Sequence, residues 1–93
     1  MQIENPLERL LAIMDRLRGP DGCPWDREQT LLSLKPYLVE ECYEVLDAID
    51  AKDPARHAEE LGDVLLQIVF QAQIQKEQGA FSFHDVATCI CEK

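Results

Sequence analysis

Apolar side chains recur at helical spacing along most of this chain, and the pattern predicts helices and no strands. The first run follows Asn5-Pro6, a capping residue before a proline suited to the first helical position, and should end near Arg18. A loop then begins at Gly19-Pro20. Asp26 is expected to cap a short helix after that loop, with Gln29 completing a capping box.

Two longer helices are predicted to form an antiparallel pair, because only a few residues join them. The first has Pro36 in its expected first turn. The second follows the cap and proline at Asp53-Pro54 and should stop at Gly79. It is apolar on nearly all sides over residues 64–70, which predicts burial against a second subunit. The pattern Ser82–Asp85 is a capping box that begins a last helix.

A length of 93 residues favours one domain over residues 1–93, and the helical patterns make that domain all-α. A chain this short buries only about two thirds of its unfolded surface, so sharing its core with a second copy is a reasonable expectation. No apolar run is long enough to cross a membrane, and the N-terminus lacks the features of a signal peptide. The four cysteines match no zinc pattern, so we expect reduced, mostly buried thiols in a cytoplasmic protein.

The charge balance restricts the partners. The chain has 18 Asp and Glu against 9 Lys and Arg, a net charge of -9. Such a balance argues against non-specific binding to nucleic acid or to an anionic membrane. It remains compatible with a nucleotide that is held through a divalent cation.

Two acidic clusters lie inside the apolar helical patterns, namely Glu40-Glu41-x-x-Glu44 and Glu60-x-x-Asp63. Carboxylates three or four residues apart share a helix face, and an antiparallel hairpin can bring the two clusters to a similar height. Carboxylate oxygens on facing helices suit Mg2+ or Mn2+. The alternative is a solvated acidic face without a ligand. Gly62 lies beside these acids, where close approach of another backbone would explain a helical glycine.

The same residues resemble the EExxE…ExxD signature of the all-α nucleoside triphosphate pyrophosphohydrolases. Further segments are similar to the MazG branch of that superfamily: Gly22-Cys23-Pro24-Trp25-Asp26, Gln29-Thr30, Pro36-Tyr37-Leu38 and Glu92-Lys93. The resemblance implies helical hairpin subunits that form four-helix-bundle-like packing in a dimer or a higher homo-oligomer. It also implies Mg2+-dependent hydrolysis of a nucleoside triphosphate to the monophosphate and pyrophosphate, with Mn2+ as a second suitable ion.

The resemblance further implies four metal ligands, one residue that handles water and two that bind the substrate phosphates. The metal ligands are Glu41, Glu44, Glu60 and Asp63, the water-handling residue is Glu40, and the phosphate-binding residues are Arg56 and Lys93. The metal-activated water would attack the α-phosphorus. Arg56 and Lys93 could equally be solvated. Trp25 could stack on a base or anchor its loop to the core.

Three departures from the family pattern bear on substrate affinity. Leu31 and Gln71 stand where relatives often have histidine, and the chain stops at Lys93, where the family continues with a basic stretch and a His-Pro-His segment. We therefore expect a MazG-like domain without the family's C-terminal basic segment, either as a fragment or as a shortened member. The alternative function is a non-catalytic dimeric module that senses nucleotides or binds a partner protein.

Overall fold

The computed structural model describes residues 3–93, which form five α-helices and no strand. The helices are α1 (Pro6–Leu17), α2 (Pro24–Glu28), α3 (Leu31–Ala51), α4 (Pro54–Glu77) and α5 (Phe83–Cys91). The predicted all-α fold is therefore confirmed. Among the described residues, no helix is both long enough and apolar enough to cross a lipid bilayer.

The predicted N-terminal caps of three helices are confirmed. The Asn5 side chain accepts hydrogen bonds from two backbone N–H groups in the first turn of α1. The Asp53 carboxylate accepts the backbone N–H of Arg56 at 3.2 Å at the start of α4. Ser82 and Asp85 form the predicted capping box of α5, each side chain accepting the other's backbone N–H. These local bonds satisfy donors that a helix start otherwise leaves unpaired.

Left-handed residues follow both long helices. Lys52 ends α3 with φ 55, and Gly79 follows α4 with φ 74. At the end of α4, the N–H of Ala80 bonds to the carbonyl of Gln75 at 2.9 Å, and the N–H of Gly79 bonds to that of Lys76 at 3.0 Å. This pair of bonds is a Schellman motif, and it confirms Gly79 as the predicted stop.

The short helix α2 differs from the prediction. It begins at Pro24, after Cys23, and Gln29 lies beyond its end, so the predicted capping box of Asp26 and Gln29 is wrong. Pro24 occupies the first helical position, where its missing N–H costs nothing and its fixed φ suits the helix. Asp26 therefore lies inside the first turn, where its negative charge interacts favourably with the positive end of the helix dipole.

The start of α3 also differs from the prediction. α3 begins at Leu31, and Pro36 lies within the helix instead of in its first turn. The cap is Thr30, whose Oγ1 accepts the N–H of Ser33 at 3.1 Å while the Ser33 Oγ accepts the N–H of Thr30 at 2.9 Å. This capping box stabilises a helix that begins before Pro36. The proline inside the helix removes only one backbone hydrogen bond, so the helix continues through it.

The chain divides into two compact units. One contains the described residues up to Gln29 together with Val69–Lys93, and the other is Thr30–Ile68. The buried apolar residues of the first unit are Met14, Val69, Phe70, Ala72 and Ile74, and those of the second are Leu34 and Ala48. That residues 1–93 form a single domain stays a prediction, as does the packing of two subunits.

Large apolar side chains remain exposed in the Thr30–Ile68 unit. Those of α3 are Leu32, Tyr37, Val39, Tyr43, Leu46 and Ile49, and those of the first part of α4 are Leu61, Leu66 and Ile68. The expectation of mostly buried thiols is wrong. All four cysteines are free, and Cys42, Cys89 and Cys91 are exposed. α5 contains no buried residue, so its two cysteines remain at the surface.

Candidate functional site

The candidate site lies in the Thr30–Ile68 unit, on α3 and the first part of α4. Only Lys52 and Asp53 separate these helices, so they form a hairpin. Glu41 lies about as far before this turn as Asp63 lies after it. Since rise per residue is the same in both helices, the two carboxylates reach a similar height.

Three carboxylates converge there. Glu41, Glu60 and Asp63 each offer one oxygen, and these three oxygens lie within 4.8 Å of one another. In an octahedral Mg2+ site, with Mg–O distances of about 2.0–2.1 Å, opposite oxygens are about 4.2 Å apart. Neighbouring oxygens of such a site are about 2.9 Å apart, so the three carboxylates would draw closer together when they hold the ion. Glu41 and Glu60 are half-buried and Asp63 is exposed, so the group is open to solvent on the side of Asp63.

The electrostatics of Glu41 agree with an unneutralised acidic centre. Partial burial raises the pKa of the Glu41 carboxyl above its usual range, and the negative charges of Asp63, Glu60, Glu40 and Glu44 raise that pKa further. Like charges held this close repel one another. A divalent cation would turn this repulsion into attraction, so the residues present fit a small hard metal ion.

The fourth predicted ligand, Glu44, is outside this group of three. Its Oε2 lies 3.4 Å from Nη2 of Arg56, and 45% of the Glu44 side chain and 37% of the Arg56 side chain are exposed. Glu40 is exposed on the neighbouring position of α3 and is also outside the group. The structure thus brings three predicted ligands together and pairs the fourth with a predicted phosphate-binding residue.

Two residues singled out from the sequence belong to the other unit. Lys93 follows the end of α5 and is exposed. The Trp25 ring meets the Phe70 ring edge-on, with centroids 6.4 Å apart, and 49% of Trp25 is exposed. The contact with Phe70 shows that Trp25 anchors its loop to the core of its own unit. The roles of Lys93 and of the carboxylates stay predictions.

Gln67 is a further candidate for the functional site, and the sequence pattern alone did not single it out. Its Oε1 is buried and accepts no hydrogen bond from the described residues. Gln67 lies four residues after Asp63 on α4, and therefore on the same helix face. A buried amide oxygen without a donor is costly, so it indicates a missing partner. The available signal was an amide within the apolar run 64–70.

Gly62, by contrast, is not approached by any described residue beyond its own helical turns. A Cβ built at Gly62 would meet nothing within 4 Å. Close backbone approach, which was expected to explain this helical glycine, is therefore not provided by the described residues.

Comparison with known proteins gives the family. A family profile described as the MazG nucleotide pyrophosphohydrolase domain matches residues 29–93. A Thermotoga maritima protein named nucleoside triphosphate pyrophosphohydrolase/pyrophosphatase MazG is 59% identical over 86 residues, covering 92% of this chain and 34% of the relative. An Escherichia coli K12 protein named nucleoside triphosphate pyrophosphohydrolase is 52% identical over 90 residues, covering 96% of this chain and 34% of the relative.

A Mycolicibacterium smegmatis protein, also named nucleoside triphosphate pyrophosphohydrolase, is 45% identical over 94 residues, covering 96% of this chain and 28% of the relative. The chain spans about a third of the length of the curated relatives it matches. The profile match includes both acidic clusters and the three converging carboxylates. The chain therefore belongs to the MazG nucleotide pyrophosphohydrolase domain family.

Proposed function

We propose that this chain hydrolyses nucleoside triphosphates to the monophosphate and pyrophosphate, and that it depends on Mg2+. The observation that carries the proposal is the convergence of Glu41, Glu60 and Asp63, whose oxygens lie within 4.8 Å of one another. The names of the Thermotoga maritima and Escherichia coli relatives support the substrate class.

The metal-binding role falls to the three converging carboxylates, with Glu44 as the fourth ligand. Mn2+ is expected to substitute for Mg2+, since both prefer carboxylate oxygen. When bound, the ion supplies charge neutralisation for the phosphates and lowers the pKa of a coordinated water. Asp63 is exposed, and the triphosphate is proposed to approach from that side.

The remaining roles belong to residues around the carboxylates. Glu40, exposed beside Glu41, accepts a proton from the attacking water or holds that water in line with the α-phosphorus. Attack at that atom breaks its bond to the bridging oxygen, and pyrophosphate leaves. Arg56 and Lys93 are proposed to neutralise the phosphates of the bound nucleotide.

The test is pyrophosphate release from a panel of triphosphates, with Mg2+ and with EDTA. Glu60→Gln should reduce release by about 100-fold or more, since even outer-shell substitutions cost about 10–100-fold. Glu59→Gln is the matched control, because Glu59 is its exposed neighbour on α4 and lies outside the converging group. No Mg2+-dependent release from any triphosphate, or equal loss in both variants, would refute the proposal.

A homodimer or higher homo-oligomer is part of the proposal. It is supported by the exposed apolar side chains of α3, since such patches mark protein interfaces. Analytical ultracentrifugation tests it: the chain should sediment as a dimer or larger, and Leu46→Glu should shift it toward monomer.

The free cysteines suit the reducing cytoplasm, where we place the protein. A chain that binds Mg2+ and nucleotide without turnover would instead be the non-catalytic dimeric module.

A further inference from the structure

Arg56 is paired with Glu44, a predicted metal ligand, and this pair links the binding of the metal to the binding of the nucleotide. The Arg56 guanidinium lies 3.4 Å from the Glu44 carboxylate. The other three predicted ligands converge without Glu44. Glu44 therefore has two competing cations, the guanidinium and the proposed divalent ion.

We propose that Arg56 is a positioning residue that withholds Glu44 from the metal until a triphosphate draws the guanidinium away. This inference rests on the proposed function. It gives the metal three protein ligands in the absence of nucleotide and a fourth in its presence.

The pair is weak enough to exchange. The distance of 3.4 Å is long for a charged hydrogen bond, and more than a third of each side chain is exposed. Exposed pairs of this kind change an equilibrium constant by at most about fivefold. A polyanionic triphosphate offers Arg56 several oxygens in place of one carboxylate, and bidentate contact with phosphate is the stronger interaction.

The position of Arg56 permits the exchange. Arg56, Glu60 and Asp63 are spaced i, i+4 and i+7 along α4, so they share one face of that helix. A triphosphate held near Glu60 and Asp63 would therefore lie on the face that carries Arg56. The guanidinium can turn from Glu44 toward the phosphates by side-chain rotation, without movement of either helix.

The consequence is coupling between metal and nucleotide. If the nucleotide releases Glu44 to the metal, it tightens metal binding, and the metal must tighten nucleotide binding by the same factor. Without the nucleotide, Arg56 weakens metal binding in two ways: by occupying Glu44 and by its general positive charge. Only the first depends on Glu44, so a double-mutant cycle separates them.

The experiment measures Mn2+ affinity by isothermal titration calorimetry, without nucleotide, for the full chain and for Arg56→Gln, Glu44→Gln and the double variant. We expect Arg56→Gln to tighten Mn2+ binding by about two- to fivefold in the wild-type background and to have a smaller effect in the Glu44→Gln background. Lys35→Gln is the charge control, since it removes an exposed cation from the same helical unit.

A second measurement adds a triphosphate with a non-hydrolysable α–β bridge. This ligand should tighten Mn2+ binding more in the wild type than in Arg56→Gln or Glu44→Gln. If Arg56→Gln changes Mn2+ affinity by the same factor with Glu44 present and with Glu44→Gln, this inference is overturned. The proposed function then stays intact, because Mn2+ still binds. Absence of Mn2+ binding to the wild type would refute the proposed function and this inference with it.

Discussion

Arg18 and Glu77 form a two-point ion pair, in which Arg18 Nε donates to Oε2 at 3.0 Å and Nη2 donates to Oε1 at 2.7 Å. Only 9% of the Arg18 side chain is exposed. Its Nη1 donates to the carbonyl oxygens of Asp26 and Gln29, both at 2.8 Å, and the guanidinium lies 5.8 Å from the centre of the Phe70 ring. One side chain thus joins the ends of three helices within its unit.

Replacement of Arg18 by methionine should lower the free energy of unfolding by about 2–4 kcal/mol, because two carbonyl oxygens and the Glu77 carboxylate lose their donors. Arg18→Lys should recover only part of this, since an ammonium lacks the planar fork. Urea denaturation measures both. Arg9→Met, at an exposed position of α1, is the control and should change stability by less than about 0.5 kcal/mol. Equal losses at Arg9 and Arg18 would contradict the central role of Arg18.

The acid side of the stability curve should depend on Glu77. The hydrogen bond from Arg18 is the main reason that the pKa of Glu77 lies below its usual 4.5; partial burial opposes this shift, and the Arg18 charge and the bond from Gln73 add to it. The folded chain therefore binds fewer protons than the unfolded chain in this range. The stabilisation is complete above pH 4.5 and is lost as the pH falls through the lowered pKa.

Glu77→Gln removes this titration. The variant should be less stable than the wild type at neutral pH, and its free energy of unfolding should fall less steeply below pH 4.5. Urea denaturation at a series of pH values measures the two slopes. Parallel slopes for wild type and variant would show that Glu77 does not contribute to the acid dependence.

Substitution of alanine for glycine should have opposite effects on stability at Gly22 and at Gly62. A Cβ at Gly22 would lie 2.1 Å from the carbonyl oxygen of Leu17, which also accepts the N–H of Cys23 at 3.0 Å. Gly22→Ala must open this turn and should cost about 1–3 kcal/mol. Gly62 is helical, and a Cβ there would meet no described atom beyond its own helical turns within 4 Å, so Gly62→Ala should stabilise the chain by about 1 kcal/mol.

Gly62→Ala also tests why a glycine stands beside the acidic centre. If a nucleotide or a second subunit approaches the backbone there, the variant should be more stable under urea yet weaker in pyrophosphate release or in dimer formation. Unchanged release and dimer formation would show that no close approach occurs at Gly62.

The features of the fold that could be predicted from the sequence are those formed by residues close together along the chain. Asn5, Asp53 and Ser82 begin helices through bonds to their own first turns, and such caps are visible in the spacing alone. The start of α2 was missed because Cys23 makes no side-chain cap bond. The pairing of Arg18 with Glu77 joins residues 59 positions apart, and no local pattern indicates it.

The candidate site shows the same division. Helical spacing predicted that Glu60 and Asp63 share a face, and hairpin geometry predicted that Glu41 meets them, as the converging oxygens show. The position of Glu44 could not be predicted in this way. Glu44 has the spacing of a ligand, but its carboxylate lies near Arg56, and that choice depends on side-chain rotamers and local charge.

The orphan amide of Gln67 should limit stability. Its buried Oε1 accepts no hydrogen bond from the described residues, whereas Nε2 of Gln73 donates to Asp15 at 3.0 Å. Gln67→Met should therefore raise the free energy of unfolding by about 1–3 kcal/mol, and Gln73→Met should lower it by about 0.5–1.5 kcal/mol. Urea denaturation compares the two. A loss of stability in Gln67→Met would mean that this oxygen has a donor in solution.

Metal should reverse the relative stability of wild type and Glu41→Gln. The raised pKa of Glu41 means that ionising it costs more in the folded chain than in the unfolded chain, first through partial burial and then through the neighbouring carboxylates. Above the ordinary pKa of 4.5 the unfolded chain loses this proton first, so wild-type stability falls as the pH rises through the raised pKa. In EDTA at neutral pH, Glu41→Gln should therefore melt at a higher temperature than the wild type.

Added Mg2+ should stabilise the wild type in proportion to the logarithm of its concentration above the dissociation constant, and Glu41→Gln much less, because the variant lacks one ligand. The melting temperatures should therefore cross as Mg2+ is added. Glu59→Gln, whose exposed side chain lies outside the converging group, should follow the wild type throughout. If Mg2+ shifts wild type and Glu41→Gln equally, the ion binds elsewhere, and Glu41 stands in the cluster without serving as a ligand.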